Sequence, residues 1–190
     1  METKPTMNIE EELAALRSEV RYLKDRQDVL DCVMNQSRGH DRHDLGLMTS
    51  VYFDDAIDEH GPVVKSGPEY GEYANEAHSS IFVDHLHNIT THTCEIDGDV
   101  AHAESYVIGT MRVRDHRTVA LIGGRYLDRL ERRDGVWKIA LRRCTIEWTM
   151  NGDTSMISQG GFAGFIKGTQ DTDDPSYARP MDIDTPAVRW

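Results

Sequence analysis

The chain has 190 residues, of which 38% are hydrophobic, a length that fits one domain of roughly 100 to 200 residues with extensions. Its 21 basic side chains stand against 33 acidic ones, which gives a formal net charge of -12. Nucleic acids and anionic membranes bind concentrated positive charge, so this balance argues against both as partners. No apolar run approaches the roughly 18 residues of a membrane span.

Cysteine usage and the N-terminal segment predict a cytoplasmic protein. Cys32, Cys94 and Cys144 are far apart and form no CxxC pair, which is typical of reduced thiols rather than of a disulfide framework. The segment from Met1 to Glu12 is polar and acidic, without the basic and apolar regions of a signal peptide.

Residues 9–38 predict one long helix, or two end to end, with Gly39 closing it. Apolar residues recur along its first half at alternating spacings of four and three: Ile9, Leu13, Leu16, Val20 and Leu23. A seam this narrow is typical of a coiled coil, and it suits either packing across the helix's own domain or packing between subunits.

Shorter elements follow this helix. Asp41 or Asp44 is placed to cap a short second helix, and residues 51–57 are rich in strand-forming residues. Residues 58–62 predict a turn, and a third helix is expected over 68–82 with Pro68 at its first position.

The rest of the domain predicts four long antiparallel strands, over residues 85–96, 100–113, 118–130 and 136–148. Asp-Gly pairs at Asp97-Gly98 and Asp134-Gly135 are typical of hairpin turns. Helices followed by a meander indicate an α+β domain over residues 1–150. Several strands are apolar on both faces, which predicts helices against one face and a second subunit against the other.

Residues 151–190 form a tail rich in glycine, serine, aspartate and proline, with no clear period. It keeps too many apolar side chains for a solvated segment, among them Phe162, Phe165, Tyr177 and Trp190. We expect it to pack on the domain or on a neighbouring subunit.

Metal and nucleotide cofactors are not expected. His85 and His87 share a strand face, but His92 has the opposite parity and the nearest carboxylate is Glu95. No GxGxxG after a strand, GxxxxGK[ST] or GxSxG motif is present. Without these motifs, the chemistry that the sequence still allows is acid and base catalysis by histidine, aspartate and arginine in an apolar pocket.

Three segments resemble the SnoaL-like branch of the nuclear transport factor 2 superfamily, over about residues 10–150. They are Gly39 to Asp44 (GHDRHD), His87 to Ala101 with its Asp-Gly turn, and Gly124 to Ile139 (GRYLDRLERRDGVWKI). Within that branch the chain is most similar to the cofactor-free lyases, namely hexachlorocyclohexane dehydrochlorinase, scytalone dehydratase and bile acid dehydratase. The resemblance implies a cone-shaped curved antiparallel sheet, a cystatin-like α+β barrel, closed by N-terminal helices around a deep pocket. It also implies a homo-oligomer, with a trimer favoured over a dimer.

The resemblance also implies a catalytic Asp-His dyad, which falls on Asp41 and His87, and a leaving-group arginine, which falls on Arg142. The chain departs from the family pattern five residues before the aspartate, where Gln36 replaces a lysine or tyrosine. An amide cannot donate a proton near neutral pH, so Gln36 limits the acid assistance available to a leaving group.

Each of these residues also has a structural interpretation. Asp41 suits a helix cap, His87 a satisfied core histidine, and Arg142 an ion pair with an acidic neighbour across the sheet. Four aromatic residues are expected to bind substrate or to fill the core: Tyr52, Tyr106, Tyr126 and Trp148.

The leading interpretation is a cofactor-independent lyase that removes water, halide or a small carbonyl fragment from a small hydrophobic cyclic or aromatic substrate. His87 would be the general base and Asp41 would orient it, as in the hydrolase triad. Arg142 and Gln36 would serve the leaving group. The alternatives are an isomerase or cyclase of the same fold, or a non-catalytic binding module resembling a dioxygenase β subunit.

Overall fold

The computed structural model describes residues 8–190, so the first seven residues of the predicted 1–150 domain, and with them the start of the Met1 to Glu12 segment, lie outside the described residues. A single helix, α1, runs over Ile9–Asp41. Its N-terminus is closed by a reciprocal cap, in which Asn8 Oδ1 accepts from the Glu11 backbone N–H at 2.9 Å and Glu11 Oε2 accepts from that of Asn8 at 3.0 Å. No helix within residues 8–190 is long and apolar enough to cross a membrane.

The sequence predicted that Gly39 closes α1. In the structure Gly39 instead lies inside the helix, where α2, over Leu45–Ser50, crosses it. A Cβ atom at Gly39 would lie 2.7 Å from Cγ of Met48. Only a glycine therefore allows α2 to approach this closely. The side chain of Asp44 caps α2 by accepting from the Leu47 backbone N–H at 2.9 Å.

The remaining elements are, in chain order, a short hairpin, a third helix and the predicted four-stranded meander. β1 covers Tyr52–His60, β2 covers Val63–Ser66 and α3 covers Gly67–Ile81. The four long strands are β3 over Phe82–Asp97, β4 over Val100–Val113, β5 over Thr118–Arg133 and β6 over Val136–Asp153.

These strands form one curved, unclosed sheet in the order β2-β1-β6-β5-β4-β3. The meander β3 to β6 is antiparallel throughout, whereas β1 lies parallel to β6. Asp134 and Gly135 both have positive φ, 52° and 79°, as the tight turn between β5 and β6 requires. The expected α+β fold, with N-terminal helices on a curved sheet, is confirmed.

Three bulges within the meander, besides a further irregularity at the start of β3, decide which side chains face the helices. Each inserts one extra residue, in β3 between Ile89 and His92, and in β6 opposite the Arg129–Leu130 and Gly123–Gly124 steps. Side chains beyond a bulge change face relative to simple alternation. The apolar residues on both parities of β6 follow in part from these bulges rather than from a second covered face.

The second half of α1 packs against the concave face of the sheet. Val29 is fully buried with Leu130, Ile139 and Trp137. Asp25 is also buried, where it accepts from Trp137 Nε1 at 2.9 Å and from Arg132 Nη1 at 2.8 Å. This packing fixes the direction of α1 and hence the position of its C-terminal end.

The tail after β6 contacts this same domain. Arg42 Nη1 donates to the Thr169 carbonyl at 2.7 Å, and the Tyr177 hydroxyl donates to Asp44 at 2.9 Å. The side-chain amide of Gln170 lies 2.9 Å from Nδ1 of His85. The tail therefore covers the region where α1 meets α2 and β3.

The first half of α1 extends beyond the sheet, and no part of residues 8–190 covers its apolar seam. The exposed fraction is 75% at Ile9, 47% at Leu13, 55% at Leu16, 63% at Val20 and 64% at Leu23. The alternative in which this seam packs across its own domain therefore does not hold. We propose that it packs on the same seam of a second copy, since a heptad-like spacing is matched by another helix of the same spacing.

Replacing Leu16 with Glu tests this contact, because a charge at the centre of the seam would have to be buried in the oligomer. We expect light scattering to give a multiple of the chain mass for the wild type and a shift toward the monomer for Leu16→Glu. Ser18→Glu, on the exposed flank of the same helix, is the matched control and is expected to leave the mass unchanged. A monomeric wild type at micromolar concentration would contradict the proposal.

Candidate active site

A cavity of about 230 Å³ lies between α3 and the concave face of strands β3 to β6. Most of its wall is apolar, formed by Ala77, Ile81, Phe82, Val107, Gly109, Met111, Ile122, Gly124 and Ile146. Its polar lining residues are His60, His78, His87, Tyr126, Cys144 and Thr145. Few polar groups in an apolar, concave wall are typical of a small-molecule site.

Asp41 and His87 are joined at the edge of this cavity. Nδ1 of His87 lies 2.7 Å from Oδ1 of Asp41, and the His87 backbone N–H donates to both carboxylate oxygens at 2.9 and 3.0 Å. The side chains are only 7% and 11% exposed. An ionised carboxylate only accepts, so Nδ1 carries a hydrogen, and in the neutral imidazole the lone pair lies on Nε2.

Other histidines surround His87. The ring centroid of His40 lies 4.6 Å from that of His87 and 4.4 Å from that of His78, and His85 lies 4.8 Å from His40. Burial, reinforced by the neighbouring imidazoles, lowers the pKa of His78 to about 4 and that of His85 to about 3. The same causes hold the pKa of His40 well below its ordinary value. These three rings are therefore neutral near neutral pH.

His60 lies in the same cavity but in the opposite electrostatic environment. Its Nδ1 lies 3.3 Å from Oδ1 of Asp58, a fully buried carboxylate that also accepts from the Tyr52 hydroxyl at 2.7 Å. Burial alone would lower the pKa of His60, but hydrogen bonds to Asp58 and Cys144 outweigh burial and raise the pKa to about 9. His60 is therefore an imidazolium near neutral pH.

Arg142 is fully buried behind the cavity wall. Its Nε and Nη2 donate to the two oxygens of Asp128 at 2.8 Å each, and its Nη1 donates to Oε1 of Gln36 at 2.8 Å. The guanidinium carbon lies 4.1 Å from the centre of the Tyr126 ring, which does line the cavity. Burial would lower the pKa of Arg142, but Asp128 outweighs it and raises the pKa further.

The SnoaL-like domain model matches residues 21–143, about two thirds of the chain. The chain belongs to the SnoaL-like domain family. No curated protein matches it. Family membership agrees with the resemblance to the nuclear transport factor 2 superfamily and with the curved sheet described above.

Solved structures similar to this SnoaL-like domain include dehydrochlorinases. The crystal structure of LinA has 25% identity and a TM-score of 0.65, over 70% of this chain and 92% of that one. A hexachlorocyclohexane dehydrochlorinase from Novosphingobium barchaimii has 24% identity and a TM-score of 0.66, over 70% and 94%. A putative scytalone dehydratase from Novosphingobium aromaticivorans shares the fold at 17% identity and a TM-score of 0.61, over 68% and 88%.

The structure does not bring Arg142 and Gln36 to the cavity, where the sequence placed them. Gln36 accepts from Arg142 and Arg142 is held by Asp128, so neither side chain lines the cavity. A fully buried cation needs partners at its polar atoms, and here the protein itself supplies them. The alternative of an ion pair across the sheet therefore describes Arg142.

The four aromatic candidates lie in different environments of the SnoaL-like fold. Only Tyr126 lines the cavity, and Tyr52 is buried in the core against Asp58. Tyr106 is paired opposite Arg125 on the convex face and is 45% exposed. Trp148 is 46% exposed, because the bulge next to Gly123 turns it to that same convex face.

Sequence reasoning missed His60, His78 and His40. His60 belongs to the segment interpreted as a turn, whereas β1 extends through it and pairs it with Cys144 of β6. His78 and His40 come from two different helices, so no local spacing relates them. The available signal was the high count of nine histidines.

Loss of the Asp128 charge would leave Arg142 buried and unpaired. We expect Asp128→Asn to lower the free energy of unfolding by about 3–5 kcal/mol in urea denaturation, as for other buried ion pairs that lose one partner. Asp99→Asn is the control, since Asp99 pairs with Arg132 but its side chain is 70% exposed. Its loss should stay below about 1 kcal/mol. Equal small losses in both variants would contradict the assigned role of Asp128.

Proposed function

We propose that this SnoaL-like protein is a cofactor-independent lyase that eliminates water, halide or a small carbonyl fragment from a small hydrophobic cyclic substrate. The observation that carries the proposal is the Asp41–His87 pair, which holds a basic Nε2 at the wall of an apolar cavity. The similarity to LinA at 25% identity supports the same class of reaction, since LinA is described as a hexachlorocyclohexane dehydrochlorinase.

The elimination begins at His87. When water or halide leaves, Nε2 takes a proton from a carbon of the substrate, and the electron pair of that C–H bond forms the new double bond. When a carbonyl fragment leaves, Nε2 takes the proton of a substrate hydroxyl, the electron pair of that O–H bond forms the carbonyl group, and the pair of the broken C–C bond stays on the remaining carbon. Asp41 keeps Nδ1 protonated and stabilises the imidazolium as it forms. A positioned base of this kind contributes about 10²- to 10⁴-fold in rate.

The leaving group is served by His60 rather than by Arg142. When hydroxide or halide departs, it takes the electron pair of the bond that breaks, and hydroxide also needs a proton. His60 is an imidazolium that lines the same cavity and can donate that proton, after which it is neutral. His60 thus supplies the proton that the amide of Gln36 cannot donate.

The size of the cavity narrows the substrate. A volume of about 230 Å³ lies below the roughly 300–1,000 Å³ of most ligand pockets. It therefore favours a single-ring or short bicyclic substrate over a steroid.

Mass-resolved turnover tests the reaction, using single-ring β-hydroxy ketones and halides without added metal or cofactor. We expect the wild type to release a defined neutral mass and His87→Ala to lose at least about 10²-fold in rate. His92→Ala removes a histidine from the same strand, outside the lining of the cavity, and is the matched control. Wild-type turnover by His87→Ala would refute the assignment. A His87-dependent product of unchanged mass would identify an isomerase instead, and binding without turnover would identify a binding module.

The role of His60 predicts a difference between leaving groups. We expect His60→Gln to lower kcat by about 10²- to 10⁴-fold when hydroxide leaves and much less when halide leaves, because halide departs without a proton. His102→Gln, an exposed position on β4, is the control. Similar losses for both leaving groups would rule out proton donation by His60.

The same role predicts an alkaline limit for dehydration. The groups that face His60 are Asp58 on its own strand, Tyr70 of α3, Tyr126 of β5 and Cys144 of β6. Of these groups, Asp58 and Cys144 outweigh burial and raise the pKa of His60 to about 9, so its acid form is present below that pH and lost above it. Dehydration should therefore fall near pH 9 in the wild type, and this limb should be absent in His60→Gln.

A further inference from the structure

Three imidazoles from three different elements converge beside the cavity. They are His40 near the end of α1, His78 in α3 and His87 in β3, and one ligand atom of each lies within 4.8 Å of the other two. His78 and His87 line the cavity, whereas His40 lies behind them at 3% exposure.

Polar atoms of this group lack partners. Within residues 8–190, Nε2 of His40 and Nδ1 of His78 are buried and accept or donate no hydrogen bond. A buried polar atom without a partner costs about 1–3 kcal/mol. The two rings that carry these atoms have centroids 4.4 Å apart, so both are placed to bind one ligand that accepts a lone pair from each ring.

We propose that His40, His78 and His87 bind a divalent transition-metal ion of the zinc class beside the cavity. Neutral imidazole is a preferred ligand of zinc, copper, iron and nickel, whereas magnesium and calcium prefer oxygen. Three histidines leave a fourth position for water or for a heteroatom of a bound molecule, as in catalytic zinc sites.

The surroundings of the three rings suit this ion. Asp41 accepts from Nδ1 of His87, which is the carboxylate–histidine arrangement that orients metal-binding imidazoles. Ligands at 2.0–2.1 Å in a tetrahedral site lie about 3.4 Å apart. Closing the triad from at most 4.8 Å to that separation is within the range of side-chain rotation.

A second set of three candidate ligands, Asp41, His85 and His87, is less suitable. Asp41 and His87 already satisfy each other, and Nε2 of His85 donates to the His40 carbonyl at 3.0 Å. Binding a metal there would break hydrogen bonds that exist, whereas the first set would satisfy atoms that lack partners.

The metal site goes beyond the proposed elimination and is distinct from it in its consequences. An ion on His87 would take the lone pair with which Nε2 removes a proton. Metal binding and general base catalysis therefore exclude each other at any one moment, and we expect zinc to inhibit elimination and a chelator to restore it.

Binding is tested without a substrate, on full-length protein stripped with a chelator. Zn²⁺ is titrated against a chromophoric chelator, and Co²⁺ is added to read its visible absorption. We expect one Zn²⁺ per chain and a Co²⁺ spectrum of four-coordinate type, with no competition from Mg²⁺. Failure to bind Zn²⁺, or equal binding of Mg²⁺, would overturn the metal site and leave the role of His87 as a base intact.

Variants assign the ligands. His78→Ala, in a helix that tolerates alanine, should weaken Zn²⁺ binding by more than about 100-fold, because changes behind the ligands alone cost 10- to 100-fold. Asp41→Asn, a change behind the ligands, should weaken Zn²⁺ binding by about 10- to 100-fold. His85→Ala, which removes the donor to the His40 carbonyl, should also cost no more than about 100-fold. His92→Ala is the control, expected to keep wild-type affinity within a few fold, and thermal unfolding of each metal-free variant checks its fold. Loss of binding in His85→Ala but not in His78→Ala would overturn the proposal in favour of the second set.

Discussion

The fully buried positive charge of Arg142 lies between helix α1 and the sheet. The guanidinium of Arg142 in β6 is held by Asp128 of β5 and by Gln36 of α1, and it lies against the ring of Tyr126. Removing such a charge from water is costly, so its partners must stay in place. The pairing fixes one wall of the cavity and also the rotation of α1 about its axis. Asp41 lies five residues beyond Gln36 on that helix, so the hydrogen bond from Arg142 to Gln36 is one of the contacts that hold the last turns of α1 near His87.

The cavity separates its histidines by what each one faces. His60 faces the buried carboxylate of Asp58, which stabilises its charged form and raises its pKa to about 9. Burial, reinforced by the neighbouring imidazoles, lowers the pKa values of His78 and His85. A charged histidine, His60, and a neutral one, His78, therefore line the same small apolar cavity. In the two proposals, the lone pair on Nε2 of His87 would either take a proton during elimination or bind a metal ion, so the two would exclude each other at His87.

Local signals made much of the fold predictable from the sequence. The long helix, the two shorter helices and the four-stranded meander follow from hydrophobic period, caps and Asp-Gly turns, all of which involve neighbours in the chain. The positions of Asp41 and His87 came from the resemblance rather than from any local pattern. The parallel pairing of β1 with β6, which brings His60 beside Cys144, joins residues more than eighty positions apart. No spacing rule relates such residues, so His60, His78 and His40 were not predicted as neighbours of His87.

The position of Arg142 shows why part of the site was beyond sequence reasoning. In β6, Trp137 and Ile139 face the helices, and strict alternation from them would turn Leu141 inward and Arg142 to the convex face. Leu130 of β5 pairs with Ile139 and Arg129 pairs with Leu141, so Ala140 is an extra residue in β6. This extra residue reverses the order of faces. Arg142 then lies opposite Asp128 inside the protein, where the ion pair is possible. The change of parity in β6 is visible in the sequence, but the same pattern also fits a strand that is covered on both faces, so the residues of β6 alone do not reveal a bulge. The burial of this one charge therefore depends on a feature that only the assembled sheet reveals.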